Sequence, residues 1–247
     1  MDDQRFASIS RAANGPQSDN RQDLKAHSVQ QDLYALILKN NSQSNTYNLR
    51  KLREGIVASE RIDSFSIAVY EHSIQNCITY RNRSEIIKCF AKISEMYVLS
   101  MQINPRYCEI EACKIMFSTS HLDTNSIWAA YLKLPSHVKQ SPQVQIAIQL
   151  LQATTLRYFD YIKLSQIYKE TSCSSTTHQL LIWLLPDFQA VIFKLIKRSY
   201  FTISKQMFAD RMCIDINDDE KFDELVRVYK VFLISETVTL RTRKQVP

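Results

Sequence analysis

Apolar residues recur at helical spacing along most of this chain. Between Arg21 and Leu38 they fall at Leu24, Val29, Leu33, Leu36, Ile37 and Leu38, the repeat of a helix with one buried face. A polar stretch, Asn40 to Asn48, separates it from a short helix over Leu49–Val57. Asp63 to Cys77 is helical, with Phe65, Val69 and Ile74 near one face. Arg81–Ser84 reads as a loop in which Ser84 caps the next helix. That helix carries the clearest stripe: Ile86, Ile87, Phe90, Ile93, Met96 and Tyr97. Asn104-Pro105 and Ser141-Pro142 each open a helix, because proline is tolerated at the first helical position. The first stretch between them holds a short helix from Asn125 to Leu134, stopped by Pro135. The second opening leads a long helix through Ala147 and Leu151 to Tyr168. A polar loop over Thr171–Thr177 precedes two apolar helices that meet at Pro186, and a tight turn follows near Tyr200.

The end of the chain changes character. Ser204–Cys213 is a short amphipathic helix, and Asn217–Glu220 caps another that runs to Tyr229 with Phe222, Leu225 and Val226 inward. Val231–Ile234 and Val238–Arg241 are rich in β-branched residues and are separated by Ser-Glu-Thr. Two helices followed by a small β-hairpin suit a winged helix with the hairpin as its wing.

Composition narrows the function classes. The chain has 247 residues and only two glycines, Gly15 and Gly55, against an average near 7%. Phosphate-cradling loops and dinucleotide fingerprints need several glycines at fixed spacing, so neither is present. Tight-turned all-β folds are equally disfavoured. The polar first 20 residues, with Gly15-Pro16, read as a disordered leader without an apolar signal core. The six cysteines form no CxxC pair and read as reduced thiols. Leu180–Ile196 is apolar enough to suggest a membrane span, but Pro186 and Asp187 in its middle favour buried helices.

Catalytic constellations are not legible. The five histidines are scattered without metal-ligand spacing, and the sole nucleophile pair worth naming is Cys108 with His121. The Asp215, Asp218, Asp219 and Glu220 cluster lacks the spacing of a calcium loop and reads as helix capping. No cofactor, metal or small-molecule substrate is expected. The net charge is +6. Lys194, Lys197, Arg198 and Lys205 gather around the turn near Tyr200, and Arg241, Arg243 and Lys244 follow the second β-run. These seven are the candidate nucleic-acid contacts; a solvated helix face with a basic tail is the alternative.

The order of segments resembles the suppressor-of-actin / germinal-centre-associated nuclear protein (SAC/GANP) family over residues 23–235. Ser28–Leu33 is similar to that family's S-V-R-Q-D-L, and Ser59–Ile67 with Tyr70-Glu71-His72 is similar to Y-E-R-I-x-R-F-H-I. Ser84–Tyr97, Leu134-Pro135 with Ser141–Val144, Arg157–Leu164 and Ile192–Tyr200 follow in the family's order. Gln30, Ser64 and Gln189 stand where family arginines are expected. The resemblance implies a mainly α fold: a right-handed helical-repeat stack of TPR/PCI type over residues 21–200, then a winged-helix portion with a basic tail over 201–247. It also implies a nuclear, non-catalytic scaffold of mRNA biogenesis and export that pairs with a PCI-domain protein, accepts a small acidic subunit and contacts RNA, with no membrane. The alternative is a structural interaction protein of the spindle, the centrosome or another PCI-type assembly, without nucleic acid.

Overall fold

Helices dominate the computed structural model, which describes residues 23–39, 45–100, 106–120, 124–155 and 175–240. The described residues form two compact units that divide after Ile110. In the first, a 3₁₀ turn at Asp23–Lys25 leads to α1 (His27–Lys39), α2 (Asn45–Ala58), α3 (Ser64–Thr79) and α4 (Arg83–Ser100). The start of α5 (Arg106–Ser120) also belongs to it. Consecutive helices pack in order, α1 on α2, α2 on α3 and α3 on α4.

The stripes become the core with local changes. Leu33 and Ile37 of α1, Leu49, Leu52 and Ile56 of α2, and Val69 and Ile74 of α3 are buried, whereas Leu36 and Leu38 are exposed. On α4 the buried line is Ile86, Cys89, Phe90, Ile93, Met96 and Tyr97. Ile87 is on the solvent side, so the stripe runs through Cys89 instead. α2 starts at Asn45, inside the stretch expected to be loop, because the Asn45 side chain donates to the Ile37 carbonyl at the end of α1. Ser84 does not cap α4. Asn82 does, its Oδ1 accepting from the Glu85 N–H at 3.2 Å. Asp63 caps α3 reciprocally with Ser66, as in a capping box.

Gly55 has a steric reason. A Cβ there would lie 2.5 Å from the Leu24 carbonyl oxygen, so α2 and the 3₁₀ turn approach closer than any side chain allows. The same carbonyl accepts from Nε2 of the fully buried Gln30 at 2.9 Å. Gln30 also reaches Ser59 Oγ at 3.2 Å and accepts from Arg61 at 3.2 Å. The two segments with the most recognisable motifs, near residues 30 and 60, therefore pack against each other.

The second unit contains α6 (Thr124–Lys133), α7 (Ser136–Lys139), α8 (Pro142–Thr155) and α9 (Ser175–Ser199), besides the rest of α5. After α9 come β1 (Thr202–Ser204), α10 (Lys205–Met212), α11 (Asp219–Tyr229), β2 (Phe232–Ile234) and β3 (Thr237–Thr239). Ser141 bonds the Val144 N–H as expected of a cap before Pro142. α7, in the segment after Pro135, was not foreseen. The leader, Pro105, His121, Cys173 and the expected continuation of α8 to Tyr168 lie outside the described residues.

Pro186 does not separate two helices. α9 runs through it, and Thr176 and Thr177, expected in a loop, are buried in its first turn. Proline inside a helix costs about 3 kcal/mol. Leu180, Leu184, Phe188, Ile192 and Ile196 are spaced by four residues on both sides of it and are all buried. At about 1.5–3 kcal/mol each, that stripe outweighs the proline only if the helix stays whole. Length and composition alone would let Thr176–Ser199 cross a membrane, but this stripe is part of the unit's own core.

Two outcomes follow. Gly55→Ala gains about 1 kcal/mol of helix propensity but overpacks a backbone carbonyl, at about 1–3 kcal/mol. A net loss of up to about 2 kcal/mol is expected in urea unfolding. Asp63→Ala should cost about 1 kcal/mol at neutral pH. Burial alone would raise the Asp63 pKa, but the Ser66 N–H, the Arg61 guanidinium 2.5 Å away and the Ser66 hydroxyl bring it below the ordinary carboxylate value. This stabilisation is complete above the unfolded-state pKa and is lost as pH falls through the lower folded one. The gap between the parent chain and Asp63→Ala should therefore close on acidification below about pH 4.

Candidate macromolecular interface

The C-terminal elements close around a small antiparallel sheet of strand order β1-β3-β2. Ser204 ends β1 and caps α10, accepting from the Met207 N–H at 3.1 Å. Asp218 caps α11 by accepting from the Lys221 N–H at 3.1 Å. The side-chain and backbone bonds from Lys221 lower the Asp218 pKa, so the acidic segment does work as a capping site. α10 and α11 both end on left-handed residues, Cys213 and Lys230, and Ser235 makes the hairpin turn in the same conformation.

The register sets what each strand shows. Ile203, Val238 and Leu233 lie in one row across the sheet, and in antiparallel pairing opposite residues share a face. Ile203 and Val238 are buried, so this row faces inward. Phe208 and Phe222, both buried, meet edge to face at 5.6 Å within the same module. Gln189 on α9, buried, donates to the Met212 carbonyl at 2.7 Å and ties α9 to the end of α10. The outer face consists of the rows Thr202–Thr239–Phe232 and Ser204–Thr237–Ile234. It is polar on β1 and β3 and apolar on β2.

β2 is an edge strand, and all three of its residues are exposed: Phe232 by 63%, Leu233 by 39% and Ile234 by 68%. Val228 on α11 is exposed by 61%. An edge strand presents unpaired backbone groups, and free-standing proteins protect such edges with charge, proline or bulges. β2 has no charge, proline or bulge along Phe232–Ile234, and its three-residue length is what limits this edge. Sequence reasoning found the hairpin but not this edge, because β1 is three residues long and its pairing with β3 leaves β2 as the outer strand.

The basic candidates divide into groups. Lys194, Lys197 and Arg198 are exposed on the last turns of α9 at i, i+3 and i+4 spacing, one face of the helix. Lys194 and Lys197 have no ion-pair partner among the described residues. Lys197 lies 5.7 Å over the Phe193 ring, which stacks on Tyr229 of α11 at 4.3 Å. Lys205 is different: half-buried, it lies 5.0 Å over Phe222 and 3.4 Å from Asp219. Its ammonium group therefore already has a carboxylate and a ring beside it. Arg241, Arg243 and Lys244 lie outside the described residues.

Among the described residues no group of three His, Cys, Asp or Glu side chains could hold a metal. Cys108 is half-buried and its expected partner His121 is outside the described residues. Burial pushes the Cys213 thiol up to about 11, so it stays protonated at neutral pH.

The assignment of sheet faces has a direct check. Phe232→Thr and Ile234→Thr should each change unfolding free energy by less than about 0.5 kcal/mol, as exposed positions do. Val238→Thr buries a hydroxyl in the inward row and should cost about 1–3 kcal/mol. No protein-family model matches the chain, and no curated protein matches it either.

Proposed function

We propose that this chain is a non-catalytic scaffold of a nuclear mRNA biogenesis and export complex. In this reading residues 202–239 form a winged helix, with β2 and β3 as its wing, and the helices before it form a PCI-like repeat stack. The β1-α-α-β2-β3 order supports the first assignment, and the consecutive packing of α1 to α4 supports the second. The observation that carries the reading is the exposed apolar edge of β2. Such an edge suits a partner's strand or sheet, since strand addition supplies backbone bonds and pockets for alternate side chains. The partner is a PCI-domain protein, with a small acidic subunit in the same assembly. RNA is held by the phosphate-facing cations Lys194, Lys197 and Arg198, joined by the basic tail.

A second reading, a spindle, centrosome or other PCI-type assembly protein without RNA, draws on the engagement of Lys205 by Asp219 and the Phe222 ring within the chain. That engagement removes one cation from the candidate set.

Two measurements separate these readings. Tagged chain purified from nuclear extract should retain a PCI-domain subunit and mRNA-export components, and Phe232→Glu/Ile234→Lys should reduce that recovery at least tenfold. Retention by the doubly substituted chain would contradict the edge assignment. For RNA, each phosphate contact on a single strand contributes about 0.7 to the slope of log affinity against log salt. Lys194→Ala/Lys197→Ala should therefore flatten the slope by about 1.4. An unchanged slope, or no RNA binding by the parent chain, favours the second reading.

A further inference from the structure

The first unit holds a feature that the pairing edge does not involve. Arg50, Arg53 and Glu54 of α2, Tyr70 of α3, and Glu85 and Lys88 of α4 line an open cleft of about 430 Å³. The α2 residues recur at i, i+3 and i+4, so they project from one face of the helix.

Arg53 lines this cleft and is only 6% exposed. A guanidinium has five N–H donors in a fixed fork. Here Nη2 bonds Glu85, and the ring of Tyr70 lies 6.0 Å away. The remaining N–H groups have no partner among the described residues. They are not sealed in protein either, because no nitrogen of Arg53 is among the solvent-excluded unpaired atoms. They open on the cleft. Donors that reach the cleft without a protein partner are free to bond an acceptor arriving from the cleft side.

The charge balance says what kind of acceptor. Three cations, Arg50, Arg53 and Lys88, face two carboxylates, Glu54 and Glu85. Glu85 is shared: one oxygen is bonded by Arg53 and the other by Lys88 at 2.7 Å. Arg50 Nε is bonded to Glu54 at 3.1 Å. One positive charge is left over, which a single carboxylate neutralises. A phosphate carries nearly two charges and would meet two carboxylates as well. Burial alone would raise the Glu85 pKa, but the Lys88 bond and the Arg53 charge lower it, so Glu85 remains ionised at neutral pH. The rest of the lining is apolar: Val57, 52% exposed, and Ala58. At about 30 Å³ per water, the cleft has room for much more than a carboxylate.

We propose that this cleft docks an acidic peptide segment, with one Asp or Glu carboxylate on the Arg53 fork and an adjacent apolar side chain against Val57 and Tyr70. Lys88 stands at the rim and adds the second cationic contact.

The probe is N-acetyl-Leu-Glu-Leu-amide, titrated into the full chain and followed by the arginine Nε–H and tyrosine ring resonances. Saturable shifts at Arg53 and Tyr70 are expected, with no saturation by the matching Gln peptide. Lys88 is exposed on α4, so Lys88→Gln should keep the fold, verified by an unchanged melting curve, and weaken binding at least threefold. Glu54→Gln raises the site charge and should tighten binding by a similar factor. Absence of saturation, equal binding of the Gln peptide or indifference to Lys88→Gln would overturn the proposal. Acetate binding as tightly as the peptide, or inorganic phosphate binding more tightly, would also overturn it by marking a small-anion site. None of these results bears on the β2 edge, which lies in the other unit.

Discussion

The inward contact of Ile203 and Val238 is the constraint on which the C-terminal module depends. Strand side chains alternate with a period of two, so burying Val238 forces Thr237 and Thr239 outward. The register then carries Phe232 and Ile234 outward with them. A one-residue slip would hide these two apolar side chains but would bring threonines against Phe208 and Phe222. The exposure of β2 is therefore enforced by the core and is not the fraying of a marginal strand.

The first unit rests on a different device. A chain almost without glycine uses its second one where a helix must touch backbone, at Gly55 against Leu24. Around that contact the side chains of Gln30, Ser59, Arg61 and Asp63 interlock. His27 is bonded by Arg61 and packs edge to face on Phe65 at 5.4 Å. Farther along, the Tyr97 hydroxyl donates to the buried Glu71 carboxylate at 2.7 Å, and Arg106 lies 3.4 Å from its other oxygen. Buried polar groups are tolerable when each finds a partner. The Arg53 fork differs in that part of it bonds Glu85 and part opens on the cleft.

What was legible in the sequence follows from the range of the interactions involved. Helix periods, the Ser141-Pro142 start, the cap within Asn217–Glu220 and the hairpin are local, and the chain spells them out. Ile87 and Cys89 exchange places because helix orientation is set by neighbours, not by a four-residue pattern. Pro186 misled because its local cost is visible and the continuous stripe beneath it is worth more. Asn82, two residues before Ser84, takes the cap because the helix already begins at Arg83. β1 has no periodicity at three residues and exists only through β3. Gln30 and Gln189 looked like arginines lost, yet each bonds a buried carbonyl. The Arg53–Glu85 pair joins residues 32 apart, a separation at which sequence carries no pairing signal.

The central claim, that the bare side of β2 is where another polypeptide adds, is tested most directly by amide hydrogen exchange over residues 231–235. The isolated chain and the complex purified from cells would be compared. Free edge groups exchange from native-state fluctuations, so rapid exchange is predicted in the isolated chain and strong protection in the complex. Equal exchange in both, with the assembly intact, would contradict it.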